Sequence, residues 1–309
     1  MFNLNLKRLG IAAGLSLTLV AAGCGSSEED SSNPSGGEGE GEANYGEQLD
    51  YTITGIEAGA GVVAAAQKAV EEYDSLAGWE VSTSSSGAMA TALGDAIESE
   101  EPIVVTGWSP HWKFEKYDLK YLKDPKGVFG EAEKIKTMVR KGLEEDKPNA
   151  YKILDQFKWS SEDIQSVMLD INEGTAPEEA AKAWIKENQD KVSSWTKGTE
   201  KVDGKSVELV YVNWDTEIAS TNVVAEVLKQ QGFEVTITPL NNGPMWEAVA
   251  EGEVTGMVAA WLPGTHGDLY AEYKDSLVDL GPNLKGAKIG LVVPAYMDVE
   301  SIEDLQPKE

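Results

Sequence analysis

The sequence predicts an α/β protein of two lobes. Two observations carry that reading. Short runs of β-branched and small apolar residues alternate with longer stretches of helical spacing, the grammar of parallel sheets covered by helices. The alternation also occurs twice, with a long helical stretch between the two copies.

The first copy opens with a strand at 51–56, followed by the loop Glu57-Ala58-Gly59-Ala60-Gly61. A helix is expected over about 62–73, a strand at 79–82, a second helix from about Gly87, and a strand at 103–106. The second copy opens with a strand at 207–212 and a loop at 213–217. A helix over about 219–230, a strand at 233–238, a helix from Gly243-Pro244-Met245 and a strand at 257–260 follow. Pro244 fits a first helical turn, where its missing N–H is not needed. Gly232 fits just past a helix end, where positive φ is common. Both copies therefore read strand-helix-strand-helix-strand, with helices on both faces of a parallel sheet.

Residues 130–196 read as helical. Ala150, Ile153, Leu154 and Phe157 recur at helical spacing. Ser160 with Asp163 is a capping start. Gly174-Thr175-Ala176-Pro177 is a stop followed by a new start. Trp159, Trp184 and Trp195 are read as packing residues. The polar stretch 197–205 crosses from one lobe to the other.

The ends bound the rest. Lys7 and Arg8 precede an apolar stretch at 9–22, too short and wrongly flanked for a lasting membrane span. Ala21-Ala22-Gly23-Cys24 resembles the cleavage box of bacterial lipoproteins. That resemblance implies a signal peptide at 1–23 and a lipid on Cys24, the only cysteine. An ordinary secretory signal is the alternative. The Ser-, Gly- and Glu-rich residues 24–48 read as a disordered tether. The expected lobes are 49–198, with its helical extension, and 199–309, whose C-terminal end returns to the first lobe. Two α/β lobes behind an export signal suggest a ligand clamp closing about a hinge.

Charge narrows the partners. The chain carries 26 basic and 53 acidic residues, a net −27. Nucleic acid is excluded, because phosphate binding needs a basic face. The acid excess reads as a solvated surface, with exposure to high salt as the sharper alternative.

Three tryptophans are the candidate site. Trp108 sits in Val-Val-Thr-Gly-Trp-Ser-Pro-His, Trp214 in Val-Tyr-Val-Asn-Trp-Asp, and Trp261 in Val-Ala-Ala-Trp-Leu-Pro-Gly-Thr-His. Each is expected where a strand ends and a loop begins, the edge at which open α/β sheets bind ligands. A quaternary ammonium has no N–H to donate, so three indole faces suit it better than a polar pocket. Gly61 and Val62 open a predicted helix, whose free N–H groups favour an anion.

Eight segments carry a closer resemblance: 55–62 (Gly-Ile-Glu-Ala-Gly-Ala-Gly-Val), 106–112 (Thr-Gly-Trp-Ser-Pro-His-Trp), 119–125, 152–159, 212–222 (Val-Asn-Trp-Asp-Thr-Glu-Ile-Ala-Ser-Thr-Asn), 243–246, 260–266 and 290–294. Together they resemble the substrate-binding proteins of glycine betaine and proline betaine ABC importers, the OpuAC type. The resemblance implies a type II periplasmic-binding-protein-like fold with the ligand cleft between the lobes. It implies a cation–π cage of Trp108, Trp214 and Trp261, and a carboxylate clamp of the Gly61 and Val62 amides with His266. It also implies a permease and its ATPase as partners, osmoprotectant uptake as the purpose, and a location at the outer face of the cell membrane or in the periplasm. Receptors for choline, carnitine or ectoine are the alternative within binding. His111 is read as a support for the Trp108 loop. Trp112 and Trp246 are read as packing around the site.

Enzyme readings have little support. There are two histidines, and no nucleophile elbow, phosphate loop or metal-spaced cluster. No cofactor, metal or catalytic residue is expected. A lipid-anchored hydrolase is the remote alternative.

Overall fold

The computed structural model describes residues 44–309. The expected signal peptide, Cys24 and most of the expected tether lie outside the described residues. The chain runs α1 (Tyr45–Gln48), β1 (Thr52–Thr54), α2 (Gly61–Glu72), β2 (Glu80–Ser82), α3 (Ser86–Glu98), β3 (Val105–Ser109), α4 (Lys113–Lys116) and β4 (Leu119–Tyr121). It continues through β5 (Glu133–Arg140), α5 (Leu143–Asp146), α6 (Pro148–Gln156), α7 (Ser161–Asn172), α8 (Pro177–Glu187) and α9 (Gln189–Trp195). The last part is β6 (Ser206–Tyr211), α10 (Asp215–Gln230), β7 (Glu234–Pro239), α11 (Asn242–Ala250), β8 (Gly256–Leu262), α12 (Gly267–Tyr273) and β9 (Leu277–Pro294).

The two copies form as expected. β1 pairs in parallel with β2 and β3, and β6 pairs in parallel with β7 and β8. The spatial order is β2-β1-β3 in one lobe and β7-β6-β8 in the other. Buried apolar strands such as β8, with all seven residues covered, need helices on both faces.

β9 joins the lobes. Residues Leu277 to Ala287 pair antiparallel with β5, and Lys288 to Val292 pair antiparallel with β3. β4 adds to its far end. One 18-residue strand thus belongs to both lobes and makes a continuous nine-stranded sheet. The β5–β9 register slips between Glu133 and Lys134, where Gly286 stands at φ +81° opposite them. A glycine bulge of this kind bends a strand without breaking its pairing.

Three expectations change. The stretch 130–196 is not helical throughout, because it begins with strand β5. The alternation of Ile135, Thr137 and Val139 is covered by pairing with β8 on one edge and β9 on the other. The helices that follow, expected as an extension of a first lobe at 49–198, pack on α10 of the second copy through α7 and α8. The reason is that α10 is buried along nearly its whole length and needs cover on the side away from the sheet. The stretch expected as tether runs to residue 48, but its last four residues form α1. Asn44 caps α1, and Gln306 accepts from the Tyr45 N–H at 2.9 Å.

Other details follow the sequence. The Ser160–Asp163 capping box forms in both directions and starts α7. Trp159, Trp184, Trp195 and Phe157 make an aromatic cluster, with Trp184 and Trp195 stacked at 5.7 Å. These rings are core.

Candidate functional site

The three tryptophans meet. Trp108, Trp214 and Trp261 line one small cavity with Ile56, Val62, Thr265 and Ile289. Each ring is at most 5% exposed. Trp108 and Trp214 lie 6.5 Å apart at 44°.

Their positions differ in part from expectation. Trp214 does sit between strand and helix, at the N-cap of α10. Trp108 and Trp261 lie within β3 and β8, each one residue from the strand's end, rather than in loops. Antiparallel partners extend both strands: Trp108 faces Ile289 of β9, and Trp261 faces Ile135 of β5. Strand pairing fixes a side chain's direction better than a loop does, so these two walls are rigid.

The carboxylate candidates are divided. α2 begins at Gly61, and no side chain caps it. The N–H groups of Gly61 and Val62 therefore have no partner within the helix. Val62 lines the tryptophan cavity, while Gly61 lines an adjoining cleft with Thr265 and Asn242. A Cβ on Gly61 would lie 2.6 Å from the Thr265 Cα and carbonyl oxygen. Glycine is required for this approach of the two lobes.

His266 does not line the tryptophan cavity. It is buried and stacks on Trp214 at 5.8 Å and 5°. Its Nδ1 accepts from the Trp261 N–H at 3.0 Å. Its proton is therefore on Nε2, which donates to Asn242 Oδ1 at 2.9 Å. Burial lowers the imidazole to about 3, so the ring is neutral. In this arrangement its one N–H is committed to Asn242.

His111 stands behind Trp108. Its ring meets Trp108 edge-on at 4.7 Å. Its Nδ1 accepts from the Lys113 N–H, and its Nε2 donates to Asp215 Oδ2 at 3.2 Å. Ser86 Oγ donates to the same Asp215 oxygen at 3.2 Å. Asp215 opens α10, so these bonds tie the first lobe to the second. Burial would raise Asp215, but the bonds from His111 and Ser86 hold it below the usual carboxylate range. Trp246 is fully buried and meets His266 edge-on at 5.8 Å.

Four residues near the site make contacts that the sequence does not show, although Glu57 is read from it as lying near the cleft. Glu217 accepts from Trp261 Nε1 at 2.7 Å and from Thr216 Oγ1 at 2.6 Å. Glu57 accepts from Trp214 Nε1 across the lobes. Glu133 of β5 accepts from the N–H groups of Gly264 and Thr265 and from the Thr265 hydroxyl, and so holds that loop. Lys113 is buried with its Nζ 4.2 Å from the Trp108 ring centroid, and burial lowers it to about 7. Acidic residues are too numerous in this chain for composition to single out three of them.

Residues 33–187 and 205–309 match the family described as the substrate binding domain of ABC-type glycine betaine transport system. The chain belongs to this family. Its members are substrate-binding proteins and not enzymes. The expected fold class, two α/β lobes with a cleft between them, holds for this chain. The chain is 59% identical over 263 residues to the glycine betaine/carnitine transport binding protein GbuC of Listeria monocytogenes serotype 1/2a (strain 10403S), covering 84% of this chain and 88% of that protein. It is also similar to lactococcal OpuAC, solved in its closed-liganded conformation with glycine betaine: 58% identity, TM-score 0.47, 49% of this chain and 59% of that one. A choline-binding protein solved with choline matches at 32% identity and TM-score 0.44, over 50% of this chain and 55% of that one. Both solved chains are thus spanned over less than two thirds of their length.

Proposed function

We propose that the protein captures glycine betaine outside the cytoplasm and delivers it to an ABC importer. The observation that carries this reading is the convergence of Trp108, Trp214 and Trp261 on one cavity beside the uncapped start of α2. The indole faces would hold the trimethylammonium group, and the Gly61 and Val62 amides would hold the carboxylate. Three desolvated cation–π contacts contribute roughly 6 kcal/mol before costs. Each charge-assisted hydrogen bond adds about 1.5–3 kcal/mol. Lost ligand freedom and lobe closure subtract several kcal/mol, roughly, which leaves an affinity between micromolar and sub-millimolar. His266 joins the clamp only by exchanging Asn242 for the ligand carboxylate.

The same geometry sets selectivity. Choline offers no carboxylate to α2. Proline has one, but its N–H groups lose their hydrogen bonds among indoles. Proline betaine satisfies both ends and binds. Carnitine, which also carries a trimethylammonium and a carboxylate, is the second reading, favoured by the 59% identity to a protein named for both ligands. Anchoring through lipid on Cys24, and docking on a permease driven by an ATPase, complete the proposal.

Intrinsic tryptophan fluorescence of the soluble body, titrated with glycine betaine, carnitine, choline and proline, tests it. Saturation with glycine betaine, and far weaker responses to choline and proline, are expected. Saturation with choline instead would discard the carboxylate clamp. No heat of binding to any of them by calorimetry would sink the assignment.

A further inference from the structure

Two of the three cage tryptophans point their indole N–H groups at carboxylates. Trp261 Nε1 donates to Glu217, which is fully buried, and Trp214 Nε1 donates to Glu57, which is half-buried. Trp108 Nε1 is buried without a partner. A packing role alone does not call for charge at these places. A neutral carbonyl or amide oxygen satisfies an indole N–H equally well, and Trp79 and Trp195 in the core use backbone carbonyls for theirs. A buried carboxylate is expensive unless something compensates it. The donors to Glu217 are all neutral: the Thr216 hydroxyl, the Trp261 indole N–H and its own backbone N–H.

We infer that Glu217 and Glu57 are charge-selecting positioning residues, which act through the indoles of Trp261 and Trp214 to make the cavity favour a cation over a neutral group of the same shape. This rests on the proposed tryptophan cage. Two effects work together. A carboxylate hydrogen-bonded to the indole N–H pushes electron density into the ring, and cation–π attraction follows that density. The negative charge also acts directly through the low-dielectric wall. The two acids come from opposite lobes, Glu57 from the loop before α2 and Glu217 from α10, so the bond from Trp214 to Glu57 assembles only when the lobes meet.

The state of Glu217 completes the picture. Burial pushes its carboxyl up to about 8, and Asp215 two residues before it adds to the rise. The bonds from Thr216 and Trp261 oppose that rise only in part. A cation in the cage lowers it further, so a bound ligand draws a proton off Glu217 at neutral pH.

The test compares glycine betaine with 3,3-dimethylbutyrate, in which carbon replaces the quaternary nitrogen. Calorimetry is run on wild type, Glu217→Gln and Glu57→Gln at pH 7, in buffers of different ionisation enthalpy, with the isostere measured by competition. Glutamine keeps an oxygen for the indole N–H and removes the charge. Both variants are expected to bind glycine betaine about tenfold more weakly, on the scale of one unit charge at this range in protein. Their affinity for the isostere is expected to be unchanged. Wild type is expected to release a proton on binding, and Glu217→Gln to release none. Equal losses for both ligands would reduce the acids to packing and overturn the inference. So would unchanged glycine betaine affinity in both variants. Glu57 is half-buried, so its variant decides the matter if Glu217→Gln does not fold. Wild type that binds no glycine betaine would fail the cage reading itself, and this inference with it.

Discussion

Replacing Trp261 by alanine should weaken glycine betaine binding by about thirtyfold. The indole is 2% exposed and forms one wall of the cavity. On the proposed reading its loss removes one desolvated cation–π contact, worth about 2 kcal/mol, or about 1.4 decades of affinity. It also leaves the Glu217 carboxyl without its 2.7 Å donor and opens space behind the cage. Those two consequences fall on stability. Truncating a large buried aromatic costs roughly 3–5 kcal/mol, and the cost here should sit low in that range because one indole face already borders a cavity. The backbone bond from the Trp261 N–H to His266 survives the change, so the turn after β8 should hold. The assay is calorimetry on a sample whose circular dichroism shows a folded protein. Trp261→Phe is the companion variant. It keeps an aromatic face but loses the N–H, and should fall between alanine and wild type. Wild-type affinity in a folded Trp261→Ala protein would remove this residue from the cage and refute the reasoning.

Two further outcomes follow from the geometry. Gly61→Ala places a methyl 2.6 Å from backbone atoms of Thr265, which cannot yield as a flexible side chain can. Binding should fall at least about tenfold, because the lobes no longer meet here, while Gly→Ala in a helix otherwise stabilises by about 0.5–1 kcal/mol; unchanged affinity by calorimetry would show that closure does not need this contact. For pH, burial first and then Lys113 lower His111 to about 4, and burial lowers His266 to about 3. Both are lowered groups, so the unfolded chain binds more protons at acid pH. Their contribution is full above about 6.5 and is lost as pH falls through about 4 and about 3, which should appear as a falling thermal midpoint over that window. Replacing both histidines with glutamine should flatten that part of the curve, and an unchanged slope would count against it.

Much of this protein was legible in its sequence, for a physical reason. Secondary structure follows local pattern, so the doubled strand-helix-strand unit and the helix starts at Gly61, Ser160 and Pro177 could be read along the chain. The cage candidates could be read too, because all three stand at equivalent edges of the two copies and family motifs surround them. What tertiary structure alone decided was pairing over long separations. β5 lies in a stretch dominated by helical spacing, and only its partners β8 and β9 make it a strand. That pairing sends the intervening helices to α10 and extends the strands that carry Trp108 and Trp261. The partners of the site side chains were equally hidden. Glu217 and Trp261 are 44 positions apart, and Glu57 and Trp214 are 157 apart. No local spacing links them. The sequence determined which chemistry the site has to offer, and the fold decided which acids stand behind the indoles and that the one N–H of His266 faces Asn242.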